Sequence, residues 1–199
     1  MKVIGITGPT GAGKTTALNA LKELGGHIVD CDAVYHELLN SSESMRTELR
    51  ERYGDHVFRA DGSLDRKALG AIVFEDKQAL NDLNAITHKY VGIAVDKAIE
   101  EARQAEVPAI AIDAIALIES GIADRCCCTV AVTAPDEARI RRIMVREGIT
   151  EEYARLRVSA QKKEEWFRAN CDHVLVNDCA NAEEFQTRAR TFFKEMIGR

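Results

Sequence analysis

The sequence predicts an α/β fold, with a five-stranded parallel sheet covered by helices on both faces. Short apolar runs alternate with segments of helical periodicity, and uninterrupted apolar runs are typical of strands that are buried on both faces. Strands joined by helices run parallel, so both faces of such a sheet need helical cover. The candidate strands are residues 2–6, 27–30, 108–113, 126–132 and 173–176.

Composition and charge fit this class. The chain has 199 residues, of which 46% are hydrophobic and 30% are charged, as in ordinary globular proteins. The formal net charge of −5 argues against nucleic acid or an anionic membrane as the main partner. No apolar run is as long as a membrane span. We therefore expect a cytoplasmic protein that binds small molecules, with no nucleic-acid or membrane partner.

The first strand leads directly into a phosphate-binding motif. Residues 8–15 read GPTGAGKT, which fits the Walker A spacing GxxxxGK[ST] between a strand and a helix. Glycines let backbone N–H groups approach a phosphate, and the following helix points its positive dipole end at the same place. Lys14 is expected to reach the terminal phosphates, and the Thr15 hydroxyl to bind Mg²⁺. The motif predicts that the protein binds a nucleoside triphosphate.

Acidic side chains follow the next two strands. Asp30 and Asp32 end the second strand and flank Cys31, and Asp113 ends the third. In an extended segment, residues two apart share a side, so Asp30 and Asp32 would face the same way. Such carboxylates can hold Mg²⁺ through water or accept a proton from an attacking hydroxyl. The structural alternative makes Asp32 the N-cap of the next helix.

Two helical stretches interrupt the alternation. The first, approximately residues 32–106, is too long for a simple crossover and predicts a helical subdomain beside the sheet. The second, approximately residues 135–170, is rich in arginine and glutamate and predicts a mobile cover. The chain is then a single domain, 1–199, whose core comprises approximately residues 1–31, 107–134 and 171–199.

The second stretch begins with a predicted amphipathic helix over residues 135–148. Its Arg139, Arg142 and Arg146 share one face through spacings of three and four. Guanidinium groups on one face can hold phosphates bidentately and stabilise charge during phosphoryl transfer. The alternative is a solvated face that pairs with neighbouring glutamates. The phosphate motif favours phosphate contact.

Other polar residues leave alternatives open. Asn177, after the last strand, can read an adenine edge or shape a turn. A lone helical histidine such as His88 is usually a packed side chain. The six cysteines include the run 126–128 and form no CxxC pair. We expect buried free thiols in a strand, and neither zinc ligands nor disulfides.

The ordered set of segments resembles the dephospho-coenzyme A kinase family over essentially the full length. The segments are GITGPTGAGKTT, IVDCDAVYHELL, DGSLDRKALGAIVF, LNAITHKYV, APDEARIRRIMVREG, the Gln161 of VSAQKKEE, and CDHVLVND. The resemblance implies a three-layer P-loop NTPase fold with a helical substrate-binding subdomain and a helical lid. It also implies ATP-dependent phosphorylation of the ribose 3′-hydroxyl of dephospho-coenzyme A, the final step of coenzyme A synthesis, with Mg²⁺ as cofactor.

The resemblance also implies roles for matching residues. The expected catalytic residues are Asp32, as the base for the hydroxyl proton, with Lys14, Arg142 and Arg146. The expected ATP-binding residues are Gly11, Ala12, Gly13, Lys14, Thr15, Thr16 and Asn177. The expected substrate-binding residues are Thr7, Asp32, His88 and Glu119. The expected metal ligand is Thr15, joined through water by Asp30.

Two departures from the family pattern lie near the expected substrate site. The proline that usually follows the histidine is Lys89 here, and the usual Pro-Leu-Leu-x-Glu run reads Ile-Ala-Leu-Ile-Glu over residues 115–119. A kinase of the same fold that acts on another nucleotide or nucleoside therefore remains the alternative. A GTP-dependent switch is disfavoured, because Asn177 is followed by Asp178-Cys179 and no Asn-Lys-x-Asp sequence occurs.

Overall fold

The computed structural model describes residues 1–198. Its strands are β1 (Lys2–Thr7), β2 (His27–Asp30), β3 (Ala109–Asp113), β4 (Cys128–Thr133) and β5 (His173–Val176). Its helices are α1 (Lys14–Glu23), α2 (Cys31–Ser41), α3 (Glu43–Tyr53), α4 (Arg66–Glu75), α5 (Lys77–Gln104), α6 (Asp136–Glu147), α7 (Glu151–Ser159), α8 (Glu164–Asn170) and α9 (Ala182–Ile197). Short 3₁₀ helices cover Asp55–Val57 and Ile122–Arg125. Within residues 1–198, no helix is long and apolar enough to cross a membrane.

The strands form a sheet with the order β2-β3-β1-β4-β5. β1 pairs in parallel with β3 and β4, and β4 pairs in parallel with β5. The register places Ile6 beside Asp113 and Thr7 beside Ala131. The carboxyl ends of these strands therefore meet at one edge, where the loop after β1 begins. The predicted α/β fold with a five-stranded parallel sheet is confirmed.

One face of the sheet holds a core shared by the strands, α1 and α9. Ile4 and Ile6 of β1 contribute to this core together with Leu21 of α1 and Phe185 and Phe193 of α9, all fully buried. Burial of each such side chain stabilises the fold by about 1.5–3 kcal/mol. This packing holds the strand before the β1–α1 loop and the helix after it in fixed positions.

The other face of β1 is in close contact with the segment after β3. Side chains alternate along a strand, so Gly5 faces away from the core around Ile4 and Ile6. A Cβ at Gly5 would lie 2.8 Å from Cδ2 of Leu117, which is fully buried. Because the Leu117 side chain packs directly on the β1 backbone, this point of the strand requires a residue without a side chain.

The chain divides into two compact units. The first comprises Met1–Val29 and the chain from Ile99 onward, and the second is Asp30–Ala98. The second unit contains α2, α3 and α4 and most of α5, with its own apolar core that includes Met45, Leu49 and Tyr53. The helical content that the sequence predicts between the second and third strands is therefore present.

The stretch after β4 is helical, and it lies in the first unit. α6 starts after Pro135 and ends at Gly148, which has a φ of 65°, in close agreement with the predicted helix over 135–148. A small apolar core joins α6 to α7 and comprises Ile140, Ile143, Ala154 and Val158. The helices of the expected lid are thus packed on one another.

The cysteine run departs from the sequence prediction. β4 begins only at Cys128, and the Cys126 N–H donates to the Ala123 carbonyl at 2.9 Å, which closes the preceding 3₁₀ helix. Cys127 is exposed, so the prediction of a fully buried run of thiols is wrong. No disulfide forms among the cysteines of residues 1–198, and burial raises the pKa of Cys126 to about 12.

Candidate active site

The loop between β1 and α1 forms a phosphate cradle. Gly8, Gly11 and Gly13 have φ angles of 142°, 81° and 106°, which side-chain-bearing residues rarely adopt. A Cβ at Gly8 would lie 2.1 Å from the Val132 carbonyl oxygen, so the loop passes directly against β4. Gly13 caps α1 without a side-chain hydrogen bond. The first N–H groups of α1 are thus presented as an anion-binding site.

Lys14 reaches from the start of α1 to the end of β3. Its Nζ lies 2.5 Å from Oδ1 of Asp113, and the two side chains are only 18% and 14% exposed. The pairing of β1 with β3 brings them together, since Ile6 lies beside Asp113 in the sheet. The sequence predicted Asp113 at this edge but assigned it no specific role. In the structure, Asp113 is the ion-pair partner of the lysine of the phosphate motif.

A cavity of about 410 Å³ opens in front of the loop. The loop forms one wall, and Ile115, Arg142, Arg146 and Gln161 contribute to the others. Lys14 and Thr15 also line it. The structure thus brings six of the predicted site residues around a single cavity, namely Gly11, Gly13, Lys14, Thr15, Arg142 and Arg146.

Arg142 is bound to the phosphate loop itself. Its Nη1 donates to the carbonyl oxygens of Gly11 and Ala12 at 3.2 and 3.4 Å, and its Nη2 donates to Oδ1 of Asn177 at 3.2 Å. Arg146 is more exposed, and its Nη2 donates to Glu147 at 2.6 Å. One arginine therefore supports the loop while the other extends along the cavity wall.

Asn177 also supports the loop. It is only 4% exposed, and its Nδ2 donates to the Ala12 carbonyl at 2.8 Å. A Cβ at Gly13 would lie 2.4 Å from this nitrogen, so the glycine makes room for the amide. With Arg142 on its Oδ1, Asn177 is engaged at both ends of its amide. The predicted contact with ATP stays a prediction.

Arg139 has a different environment from the other two arginines. It is 2% exposed, and its Nε and Nη1 donate to the Thr10 carbonyl at 3.0 Å and to Oδ1 of Asp136 at 2.9 Å. The helical spacing correctly placed the three arginines along one side of α6. The phosphate contact expected of Arg139 does not follow, because protein groups surround its guanidinium.

Asp30 and Asp32 belong to the second unit, at the start of α2. Oδ1 of Asp30 accepts from the N–H groups of Asp32 and Ala33 at 2.9 and 3.0 Å. The N-cap is therefore Asp30, and the alternative that made Asp32 the cap is wrong. The helix begins at Cys31, so Asp32 is helical and the expected extended conformation over Asp30–Asp32 is not present. Asp32 is an exposed carboxylate in the first helical turn.

The other residues expected to bind substrate lie in varied surroundings. Thr7 is 1% exposed and donates its hydroxyl to the Ile115 carbonyl at 3.1 Å. Glu119 is exposed and forms an ion pair with Lys162. His88 is half-buried on α5, and burial lowers the pKa of its imidazole. Substrate contact by these residues stays a prediction.

The chain is also similar to known proteins. The family model described as dephospho-CoA kinase matches residues 2–183. The chain belongs to the dephospho-CoA kinase family. It is 34% identical to the dephospho-CoA kinase of Dehalococcoides mccartyi over 197 residues, 99% of this chain and 98% of that protein. It is 39% identical to that of Moorella thermoacetica over 165 residues, 82% of this chain and 78% of that protein.

Solved structures share the fold of this chain. TT1252 from Thermus thermophilus superposes with a TM-score of 0.77 at 32% identity, covering 98% of this chain and 97% of the other. Shikimate kinase from Bacteroides thetaiotaomicron shares the fold alone, with a TM-score of 0.57 at 14% identity, covering 100% of this chain and 99% of the other. The predicted family is thus confirmed, and this member of the dephospho-CoA kinase family is a P-loop kinase.

Proposed function

We propose that the chain transfers the γ-phosphoryl group of ATP to the ribose 3′-hydroxyl of dephospho-coenzyme A, which yields coenzyme A and ADP. The observation that carries the proposal is a family match over residues 2–183 on a chain whose phosphate cradle faces lysine and arginine side chains. The reaction is the final step of coenzyme A synthesis. The family assignment supplies the acceptor, and the cradle supplies the donor site.

In the proposed complex, the N–H groups of the loop and of the first turn of α1 bind the phosphates of ATP. Lys14 exchanges its carboxylate partner, Asp113, for the terminal phosphate oxygens. The exchange breaks the ion pair with Asp113, and the greater negative charge of the phosphate oxygens favours it. Lys14 then neutralises charge on the transferred group.

Oxygen donors near the cradle fit Mg²⁺, which in kinases neutralises phosphate charge. The Thr15 hydroxyl is exposed at the start of α1, and the Asp113 carboxylate lies at the end of β3. Mg²⁺ prefers such hard oxygen ligands, together with water and substrate phosphates. We propose Thr15 as the direct ligand, with Asp113 added to Asp30 as a carboxylate that holds bound water.

Arg142, Arg146 and Asp32 complete the proposed machinery. The two guanidinium groups line the cavity that faces the cradle, and their planar forks suit phosphoryl oxygens. Asp32 accepts the proton of the 3′-hydroxyl as the new P–O bond forms. Its carboxylate is exposed, and the capping task that could have occupied it belongs to Asp30.

The proposal also includes a cytoplasmic location. None of the six cysteines, which all lie within residues 1–198, forms a disulfide, and reduced thiols are typical of that compartment.

An acceptor panel tests the proposal. ADP release is measured with ATP, with and without Mg²⁺, on dephospho-coenzyme A, on nucleoside monophosphates and nucleosides, and on shikimate. We expect ADP release only with dephospho-coenzyme A and the metal together. Turnover of a nucleoside monophosphate in the absence of any turnover of dephospho-coenzyme A would contradict the proposal and favour the alternative nucleotide kinase.

A further inference from the structure

Thr10, at the turn of the phosphate loop, is held on all of its polar groups by side chains from the stretch after β4. Its N–H donates to Oε1 of Gln161 at 3.1 Å, and its hydroxyl accepts from Nε2 of the same amide at 3.0 Å. Its carbonyl accepts from Nε of Arg139 at 3.0 Å. A loop residue is thus fixed by two side chains that are distant in sequence.

The orientation of the Gln161 amide follows from its donors. The Thr10 N–H and the Arg139 guanidinium can only donate, and both meet Oε1, at 3.1 and 2.5 Å. Nε2 is therefore the end that faces the Thr10 hydroxyl. Each hydrogen bond among Thr10, Arg139 and Gln161 therefore pairs a donor with an acceptor. The charge of the buried Arg139 guanidinium is balanced by the carboxylate of Asp136.

Gln161 is itself anchored to an ordered pair of helices, α6 and α7. The Gln161 N–H donates to the Val158 carbonyl at 3.2 Å, so the residue is fixed to the end of α7. Val158 belongs to the apolar core that joins α7 to α6. A Cβ at Gly11 would lie 2.9 Å from the Arg139 carbonyl oxygen, so the loop also touches the α6 backbone. Gln161 therefore connects an ordered helix pair to the phosphate loop.

We propose that Gln161 is a positioning residue that holds Thr10, and through it the phosphate loop, in the conformation that binds nucleotide phosphates. The Ala12 N–H donates to the Pro9 carbonyl at 3.2 Å and closes the turn that contains Thr10. The N–H groups of Gly11 and Gly13 can converge on an anion only when that turn is fixed. A loop that is already ordered loses less entropy when the nucleotide binds. The inference rests on the proposed function only in assigning the cradle to ATP.

The test replaces Gln161 with methionine, which has a similar length and no hydrogen-bonding amide. Gln161→Met leaves the Thr10 N–H and one Arg139 nitrogen without their partner. The loss of a hydrogen-bonded partner raises a dissociation constant by about 5- to 100-fold. We expect this rise in the dissociation constant of Mg²⁺–ADP measured by calorimetry without acceptor, and a KM for dephospho-coenzyme A unchanged within about twofold. Gln104→Met, the same change at an exposed helical glutamine, should bind ADP like the wild type.

A second variant makes the test independent of how well Gln161→Met folds. Thr10→Val removes only the hydroxyl that meets Nε2 and should weaken ADP binding by less than Gln161→Met. In the double variant, the loss of ADP affinity should be smaller than the sum of the two single losses. Either substitution alone already removes the hydrogen bond between the Gln161 amide and the Thr10 hydroxyl. Unchanged ADP affinity in the single variants, with only a lower melting temperature, would overturn the proposal by showing a structural role. Additive losses would overturn it as well. Because these affinities need no acceptor, they stand even if dephospho-coenzyme A is not the substrate.

Discussion

At the residue scale, the structure separates two roles that the aspartates on either side of Cys31 could have shared. Asp30 accepts the first N–H groups of α2, which leaves the Asp32 carboxylate exposed in the first turn. The sequence could place both carboxylates after the second strand. It could not say which one caps the helix, because that depends on whether the helix begins at Cys31 or after Asp32. Each aspartate can now be tested for its own task.

The first prediction concerns Asp32 as the base. Asp32→Asn keeps the shape and leaves the Asp30 cap intact, while it removes the proton acceptor. Turnover should fall roughly 100-fold or more, the usual loss for a positioned general base, with little change in melting temperature or ATP affinity. Initial rates and melting curves measure this.

Asp30 provides the matched control for this prediction. Asp30→Ala removes the cap and should lower stability by about 0.5–2 kcal/mol. If its carboxylate also orders water on Mg²⁺, part of its activity should return at higher metal concentration, and the Asp32→Asn defect should not. Normal turnover by Asp32→Asn would show that this carboxylate is not the base.

The next prediction concerns the arginines of the cavity. Arg142→Lys and Arg146→Lys retain charge but lose the planar fork that binds phosphoryl oxygens. Their kcat should fall more than their nucleotide affinity, since contacts to the transferring group strengthen in the transition state. Arg141→Lys, at an exposed neighbour on the same helix, is the control. Wild-type kcat in both cavity variants would mean that Arg142 only supports the loop and that Arg146 only belongs to a solvated face.

At the scale of elements, the strands and α6 were predictable because their patterns are local. Alternation of apolar runs and helices determined the sheet, and Pro135 and Gly148 determined the ends of α6. One error arose where a tertiary contact decides, because the Arg139 guanidinium donates to the Thr10 carbonyl, which lies 129 residues away in sequence. The other error is local, because the Cys126 N–H closes a 3₁₀ helix on the carbonyl of nearby Ala123, and the run of apolar residues gave no sign of that turn.

A stability prediction belongs to this scale. Gly5→Ala places a methyl group 2.8 Å from the fully buried Leu117, and this overpacking should lower the free energy of unfolding by about 1–3 kcal/mol. Gly70→Ala is the control, because its Cβ would lie 3.5 Å from Phe74 within α4. That change should stabilise by about 0.5–1 kcal/mol. Urea unfolding measures both, and a Gly5→Ala protein as stable as the wild type would contradict the close contact.

At the scale of the whole molecule, the donor site was easier to predict than the acceptor. The short motif over residues 8–15 holds most of the phosphate-binding groups, so the motif alone identifies the cradle. The acceptor is not determined by the fold, since shikimate kinase shares it at 14% identity. Only the ordered set of segments along the chain indicated dephospho-coenzyme A, and the family match over residues 2–183 supports that assignment.

The identity of the phosphoryl acceptor therefore defines the proposed function. A matched pair of candidate acceptors tests that identity. Coenzyme A differs from dephospho-coenzyme A in that its 3′-hydroxyl already carries a phosphate. With ATP and Mg²⁺, we expect rapid ADP release with dephospho-coenzyme A, stoichiometric formation of the 3′-phosphate, and no release above background with coenzyme A. Equal ADP release with either compound, or phosphate found at a position other than the 3′-oxygen, would contradict this expectation.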